Sequence, residues 1–477
     1  MTKNIFSRWE HKMAGTHGNI KKLESGRIFP LLLQYSFPAI AGLVVTSLYN
    51  IIDSIYIGQW IGPGGLAGTA VAFPVMNLGA AVGTLVGIGA GVTTSIFLGE
   101  KRFFDARKVL GQTLVLGILA GVVVGGLSLL FLEEILRLFG ASETVLPYAY
   151  DFMFPLLIGQ GLTYFFFNLN HVMRASGYPF KAMCSMMISA VINVVLAPIF
   201  LYWGWGIQGV AWATVLAQLC GAFLILFHFL NDKNTVYFCR GIYKLEWPLV
   251  RQICFSGLPP SVMNVVGCLV IIIINWQLNL HGGDTAVAAN GIFNRCAMFI
   301  AFCIVGIAQG AQPIIGFNFG ANQVWRVKKT LFWALVLGAG TSTVLGIYCI
   351  AFPRTVAACF TQDPALLDAG AEAMRWGTLA LPIVGLQIIC IHFFQSIGKA
   401  HLSVILSFTR QAFFLIPGLL VFPSFWNTMG VWVAFPVADT VATVLALSLL
   451  LWFLARYERS NHADLVKQTV LEQGANE

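Results

Sequence analysis

The chain has 477 residues, 58% of them hydrophobic and 10% charged, with a mean hydropathy of +0.79. Soluble domains carry about 25% charged residues, so a surface this poor in charge excludes a water-soluble globular protein. The net charge of +8 would raise nucleic-acid binding in a soluble chain; here a one-sided distribution of Lys and Arg accounts for it, so nucleic acid is set aside and the lipid bilayer is the partner.

Residues 1–27 are polar and basic. They read as a cytoplasmic tail without a cleavable leader, which makes the first apolar helix the insertion signal. Apolar runs long enough to cross about 30 Å of hydrocarbon follow at 28–57, 66–98, 109–132, 149–172, 181–203 and 207–230. A polar stretch at 231–250 precedes a second set at 252–280, 286–318, 330–352, 373–397, 402–424 and 429–455, and 456–477 form a second cytoplasmic tail. This divides the chain into an N-lobe over 28–230, a cytoplasmic linker over 231–250 and a C-lobe over 251–455. The second and eighth runs are overlong and rich in glycine, which predicts bending or tilting.

Basic residues sort by side. Lys21, Lys22, Arg27, Lys101, Arg102, Arg107, Lys108, Arg174, Lys233, Arg240, Lys328, Lys329 and Lys399 fall at one set of span ends, with Lys3, Arg8 and Lys12 in the first tail. The other set holds Arg137, Arg354 and Arg375. Lys and Arg concentrate on the cytoplasmic side, which predicts a multi-pass protein of the plasma (inner) membrane with both termini in the cytoplasm. The ten cysteines form no CxxC pair and mostly fall inside apolar runs, so they read as packing residues, neither disulfides nor metal ligands.

The two sets of six runs are related. Pro38 in Ser-Phe-Pro returns as Pro259 in Gly-Leu-Pro, 221 residues later. Gly99 and Gly320, Gly177 and Gly398, and Gly209 and Gly430 keep that spacing, as do Arg107-Lys108 and Lys328-Lys329. One register held across five helices means two homologous halves. Six is an even number, so both halves run the same way through the membrane. The fold class is therefore an all-α membrane protein of twelve transmembrane helices in two parallel-repeat lobes.

Ionisable side chains inside apolar spans are costly and mark function. Two carboxylates qualify, Asp53 and Asp439. Asp53 shares one helical face with Thr46, Tyr49, Asn50 and Tyr56. Such a stripe reads as a packing network or as a proton or cation site, because burial disfavours the charged form of a carboxyl group. Gln160, Tyr164, Asn168 and His171 make a second stripe on the fourth span, with His171 read as a satisfied side chain. Asp439 and Arg295 lie at matched depth in the twelfth and eighth spans, about 14–15 Å in by residue count. That predicts an ion pair, with contact between Asp439 and a cationic substrate as the alternative. Arg410 is expected to snorkel from the cytoplasmic end of the eleventh span, and Pro38 to permit a kink in the first.

The stretches LYNIIDSIYIG at 48–58, MRASGYPFKAM at 173–183, INVVLAPIF at 192–200, FFQSIGKA at 393–400 and SFTRQAFFLIP at 407–417 together resemble the multidrug and toxic-compound extrusion (MATE) family. The resemblance covers roughly residues 28–455 and implies two six-helix lobes around a central cavity. It also implies cation-coupled export of small organic, often cationic, substrates. It points to Asp53 as the coupling carboxylate with Asn193 beside it. Asn170 and Thr214 are candidate neighbours, although periodicity alone would choose Asn168 over Asn170. Tyr49, Asn50, Asn168, Asp439 and Arg295 are then the candidates for the cavity wall. Many relatives read Asn-x-x-x-Asp-Pro in the fifth helix, where this chain runs from Asn193 to Ala197-Pro198. Loss of that carboxylate predicts protons, with sodium as the alternative, as the coupling ion.

The sequence has no GxxxxGK[ST] phosphate loop, no soluble domain large enough to host one, and no His/Glu metal constellation or nucleophile motif. A secondary transporter without cofactor or metal, acting as a monomer, is therefore preferred to an ATP-driven pump or an enzyme. The alternative is a lipid or lipid-linked glycan flippase of a related two-lobe fold. That function would favour basic residues in the cavity to hold a phosphate.

Overall fold

The computed structural model describes residues 18–361 and 363–474; Lys3, Arg8, Lys12 and the last three residues lie outside the described residues. Among the described residues, ten helices are long and apolar enough to cross a membrane singly: Ile28–Trp60, Pro63–Gly99, Phe103–Leu130, Pro179–Tyr202, Gly206–Leu230, Trp247–Gly283, Thr285–Gly320, Val324–Ala351, Ala400–Val421 and Pro423–Tyr457. Two bent pairs, Leu146–Ile158 with Gln160–Ala175 and Pro364–Gly377 with Leu381–Ser396, complete twelve spans, bent by 57° and 55° respectively. Each apolar run read from the sequence is one of these spans, and among the described residues there is no strand.

The sharp bends fall in the fourth and tenth spans, not in the second and eighth. Length and glycine content did not mark them; proline near a glycine or a short turn did. Pro155 precedes the break at Gly159, and Pro382 follows the break at Thr378–Ala380. Proline removes a backbone donor and crowds the preceding turn. The second span runs unbroken with Pro74 inside it, and the first runs unbroken through Pro38.

The repeat is written into the backbone as well. Four pairs of residues with positive φ keep the spacing of 221: Gly62 and Gly283, Lys101 and Asn322, Gly177 and Gly398, Gly206 and Asn427. Each pair makes the same tight turn at the end of corresponding spans. Glycine takes that conformation freely and asparagine more readily than most residues.

The lobes meet along glycines. A Cβ built on Gly89 in the second span would overlap the Ile253 carbonyl of the seventh, and one on Gly257 would overlap the Leu85 carbonyl. Gly310 stands in the same relation to Ser36. Gly310 and Ser36 are the repeat partners of Gly89 and Gly257, so the seam obeys the pseudo-two-fold axis. Gly99 and Gly320, themselves repeat partners, abut the Phe317 and Ile96 carbonyls. All of these contacts lie toward the Lys- and Arg-rich loops, so the lobes are closed at that face.

Two segments brace the closed face. Arg326 of the ninth span donates to the carbonyls of Leu23 and Gly26, both at 3.0 Å, and to Asn318 Oδ1 at 2.8 Å. It thereby ties the short helix Gly18–Ser25, which leads into the first span, to the C-lobe. In the linker, Arg107 donates to the Thr235 carbonyl at 3.0 Å and the Tyr237 hydroxyl at 3.1 Å, and Lys108 pairs with Glu246 at 2.7 Å. Each lobe thus holds the segment that leads into the other. Arg326→Ala is expected to loosen this face. In a chain stripped of its ten cysteines, alkylation of a cysteine placed at buried Ser95 should quicken about tenfold, the equivalent of one lost charge-assisted bond of about 1.5 kcal/mol. An unchanged rate would show that the strap contributes nothing to closure.

Candidate functional site

Asp53 lies two turns from the end of the first span and is buried, with 8% exposure. The first span packs on the fifth, and the fifth and sixth form a hairpin through the turn at Gly206. This brings three side chains together. Asn193 Nδ2 donates to Asp53 Oδ2 at 3.4 Å and to Thr214 Oγ1 at 3.0 Å, and Thr214 donates to the Val210 carbonyl of its own helix at 3.2 Å. The Asn193 amide hydrogens are thereby committed. Asp53 Oδ1 and Asn193 Oδ1 remain, both buried and without a hydrogen-bond partner among the described residues. An unpaired buried acceptor costs about 1–3 kcal/mol, and a proton, a cation or a water molecule would satisfy the two oxygens.

Asn193 and Thr214 open onto a narrow cleft with Thr46, Tyr49, Ser189 and Gln218 on its walls. Gln218 accepts from the Thr163 hydroxyl at 2.6 Å. The candidate residues Asp53, Asn193, Thr214 and Tyr49 are thus brought to one place. Asn50 is exposed and donates to the Thr46 carbonyl of its own helix at 3.0 Å.

The fourth-span candidates go elsewhere. Asn170 donates to the Ala182 carbonyl at 2.9 Å and to Ser185 Oγ at 3.0 Å, and accepts from Arg174 at 3.3 Å. Ser185 is two turns from Asn193, about 12 Å along the fifth span, so Asn170 does not join Asp53. Asn168 is buried against Gly87 and Gly117 of the second and third spans, and is not part of the cleft. A polar stripe fixes a helix face but not the neighbour it meets. The fourth span packs on the second, third, fifth and sixth, so its polar face serves the interior of the lobe.

The expected Arg295–Asp439 pair does not form. Asp439 Oδ1 accepts from Arg410 Nε at 2.5 Å, with side-chain exposures of 9% and 24%. Arg295 is exposed and has no ion pair among the described residues. Arg410 does not snorkel either: it lies ten residues past Ala400, about 15 Å into its span. Matched depth sets one coordinate and leaves the direction around each helix open, whereas the eleventh and twelfth spans are hairpin neighbours.

By sequence Arg174 is one of the cations at the basic span ends. It is buried at the end of the fourth span, where it hydrogen-bonds Gln309 of the eighth, a polar tie across the lobes. Its burial carries no local sequence signal. Among the described residues no group of three or more His, Cys, Asp or Glu side chains could hold a metal ion.

Comparisons with known proteins converge. The MatE family profile matches residues 38–199 and 259–420, two stretches that repeat the spacing of 221. The multidrug export protein MepA of Staphylococcus haemolyticus is 24% identical over 450 residues, covering 94% of this chain and 98% of that one. MepA of Staphylococcus aureus is 23% identical over 429 residues, covering 89% and 94%. Among solved structures, the MATE multidrug transporter DinF-BH is 33% identical with a TM-score of 0.82, covering 88% of this chain and 95% of that one. An outward-facing multidrug resistance MATE transporter of the MOP superfamily has a TM-score of 0.88 at 22% identity, covering 93% and 99%, a likeness of fold.

Proposed function

This chain belongs to the MATE family, and from that premise we propose that it is a secondary antiporter exporting small organic, often cationic, drug-like compounds in exchange for inward protons. The observation that carries this reading is the buried Asp53 beside Asn193, with one unpaired oxygen on each. A carboxylate there gains or loses one charge without leaving the lobe, and the cleft next to it responds to that charge. The relatives' names as multidrug export proteins support the substrate class. Expelling a monovalent cation against an inside-negative potential costs about 2.3 kcal/mol per 100 mV. One inward cation per cycle cancels that cost and adds its own gradient.

Orientation follows from charge. With the Lys- and Arg-rich loops in the cytoplasm of a plasma-membrane protein, both termini are cytoplasmic, the glycine seam closes the inner face, and the arrangement is outward-facing.

The donor set favours protons over sodium. A hard cation needs several oxygens at once; among the described residues the buried, unpaired oxygens at this site are Asp53 Oδ1 and Asn193 Oδ1, and the Thr214 hydroxyl is engaged on both sides. Ala197 is fully buried in one apolar cluster with Ile57, a turn from Asp53, and adds no ligand. Substrate efflux from proteoliposomes under a sodium gradient, with the proton gradient collapsed by ionophore, is expected to fall to the level of empty vesicles. Full uphill efflux would overturn the proton assignment. Ala197→Asp is expected to introduce sodium dependence.

A further inference from the structure

The spacing of 221 carries the N-lobe cleft onto a definite place in the C-lobe. Phe166, Met186, Ser189 and Gln218 line the cleft; their repeat partners are Gln387, Ser407, Arg410 and Asp439. The Arg410–Asp439 pair therefore stands where the N-lobe has its cleft. The other two positions of that copy are also polar: the Gln387 amide and the Ser407 hydroxyl are buried and without a hydrogen-bond partner among the described residues. By contrast, the partners of Asp53, Asn193 and Thr214 are Ile274, Phe414 and Phe435. The C-lobe thus has no carboxylate at the first-span position; the acid it does bury lies on the twelfth span and already has a cation.

The helix carrying that cation also departs from the repeat. The fifth span is regular α-helix, whereas the eleventh passes into a π-helical stretch, Thr409–Leu415, with Arg410 in its first turn. Single π turns in α-helices are rare and recur at functional sites.

We propose that Arg410 is a built-in cation. As a side chain it occupies the C-lobe copy of the cleft, neutralises Asp439, and keeps that site from taking a monovalent cation from solution. The C-lobe site is then latent, and one lobe couples. This rests on the proposed antiport only for its transport readout, because the latent site also predicts a binding property.

The primary test is proton uptake by the purified full chain as pH is lowered. Arg410→Gln is expected to bind one proton more per chain than wild type, because an uncompensated buried carboxylate takes up a proton in place of the lost partner. Arg410→Gln with Asp439→Asn, and Arg410→Lys, are expected to return to the wild-type count. A thermal-stability titration with sodium chloride against choline chloride separates sodium from proton as the acquired cation. In proteoliposomes, the number of protons moved per substrate should rise by one in Arg410→Gln.

An Arg410→Gln protein with the wild-type proton count and no sodium-dependent stabilisation would overturn the proposal. So would Asp439→Asn losing coupling as completely as Asp53→Asn. Should Arg410→Gln fail to fold, the charge-free pair Arg410→Met with Asp439→Leu keeps the question open to measurement. It is expected to fold and retain coupling, and loss of coupling in that folded variant would likewise refute a latent site. If wild type itself shows no proton-coupled flux, the antiport reading fails, and the proton count still decides this one.

Discussion

Asp53→Asn is expected to abolish uphill export while leaving the folded protein intact. The substitution keeps the size of the side chain and an oxygen to accept from Asn193, which now donates to Asp53 at 3.4 Å. It removes the carboxyl group proposed to exchange a proton with solvent. Without coupling, a monovalent cationic substrate follows the membrane potential and accumulates inside about 50-fold at 100 mV, the ratio equivalent to about 2.3 kcal/mol. Vesicles bearing the variant should reach that ratio or match empty vesicles, whereas wild type holds the internal concentration below it as long as a proton gradient lasts. The thermal midpoint should move by no more than a few degrees, as for a substitution of about 1 kcal/mol or less. Export against the gradient at the wild-type rate would refute Asp53 as the coupling group. A variant that fails to bind substrate at all would instead assign Asp53 to recognition.

How much of this was legible beforehand follows from the kind of information each feature needs. Spans are one-dimensional: a run of about twenty apolar residues is a span whatever its neighbours, so all twelve were readable. The repeat is one-dimensional too, and it reappears in the backbone as paired positive-φ residues such as Lys101 and Asn322. Asp53 stands out as a candidate in the sequence because a carboxylate in lipid needs a reason, and the structure buries it beside Asn193. Partners are three-dimensional. Depth alone pairs Asp439 with Arg295, whereas the hairpin of the eleventh and twelfth spans gives it Arg410. Helix face points to Asn168 and the family resemblance to Asn170, whereas the fourth span turns both to the interior of its own lobe. The repeat held an unused clue. Arg410 and Asp439 correspond to Ser189 and Gln218, which line one cleft, so adjacency in one half, once known, predicts adjacency in the other.

The seam offers a test of conformation that leaves the cleft untouched. Gly257→Ala is expected to drive the lobes apart at the basic face, because its Cβ would overlap the Leu85 carbonyl, a backbone atom that cannot rotate away. Besides the core the lobes share, each holds clusters of its own, around Val270 in the C-lobe and around Ala72 and Ile57 in the N-lobe, so the strain is expected to be relieved by opening the seam and not by unfolding a helix. Overpacking of this kind costs about 1–3 kcal/mol; at about 2 kcal/mol the balance between closed and open shifts about 30-fold. Alkylation of a cysteine at Ser95, whose side chain lies against Gly316 of the facing span, should quicken accordingly in a cysteine-free background. Uphill export should fall by about tenfold or more, since the cycle must pass through the closed arrangement. Gly340→Ala is the matched control: a Cβ there meets nothing within 4 Å, and it should behave as wild type. Proton uptake at Asp53 should survive in Gly257→Ala, which separates a blocked conformational change from a lost coupling site. If Gly257→Ala exports at the wild-type rate with Ser95 still protected, the seam is not the closing surface of the transport cycle.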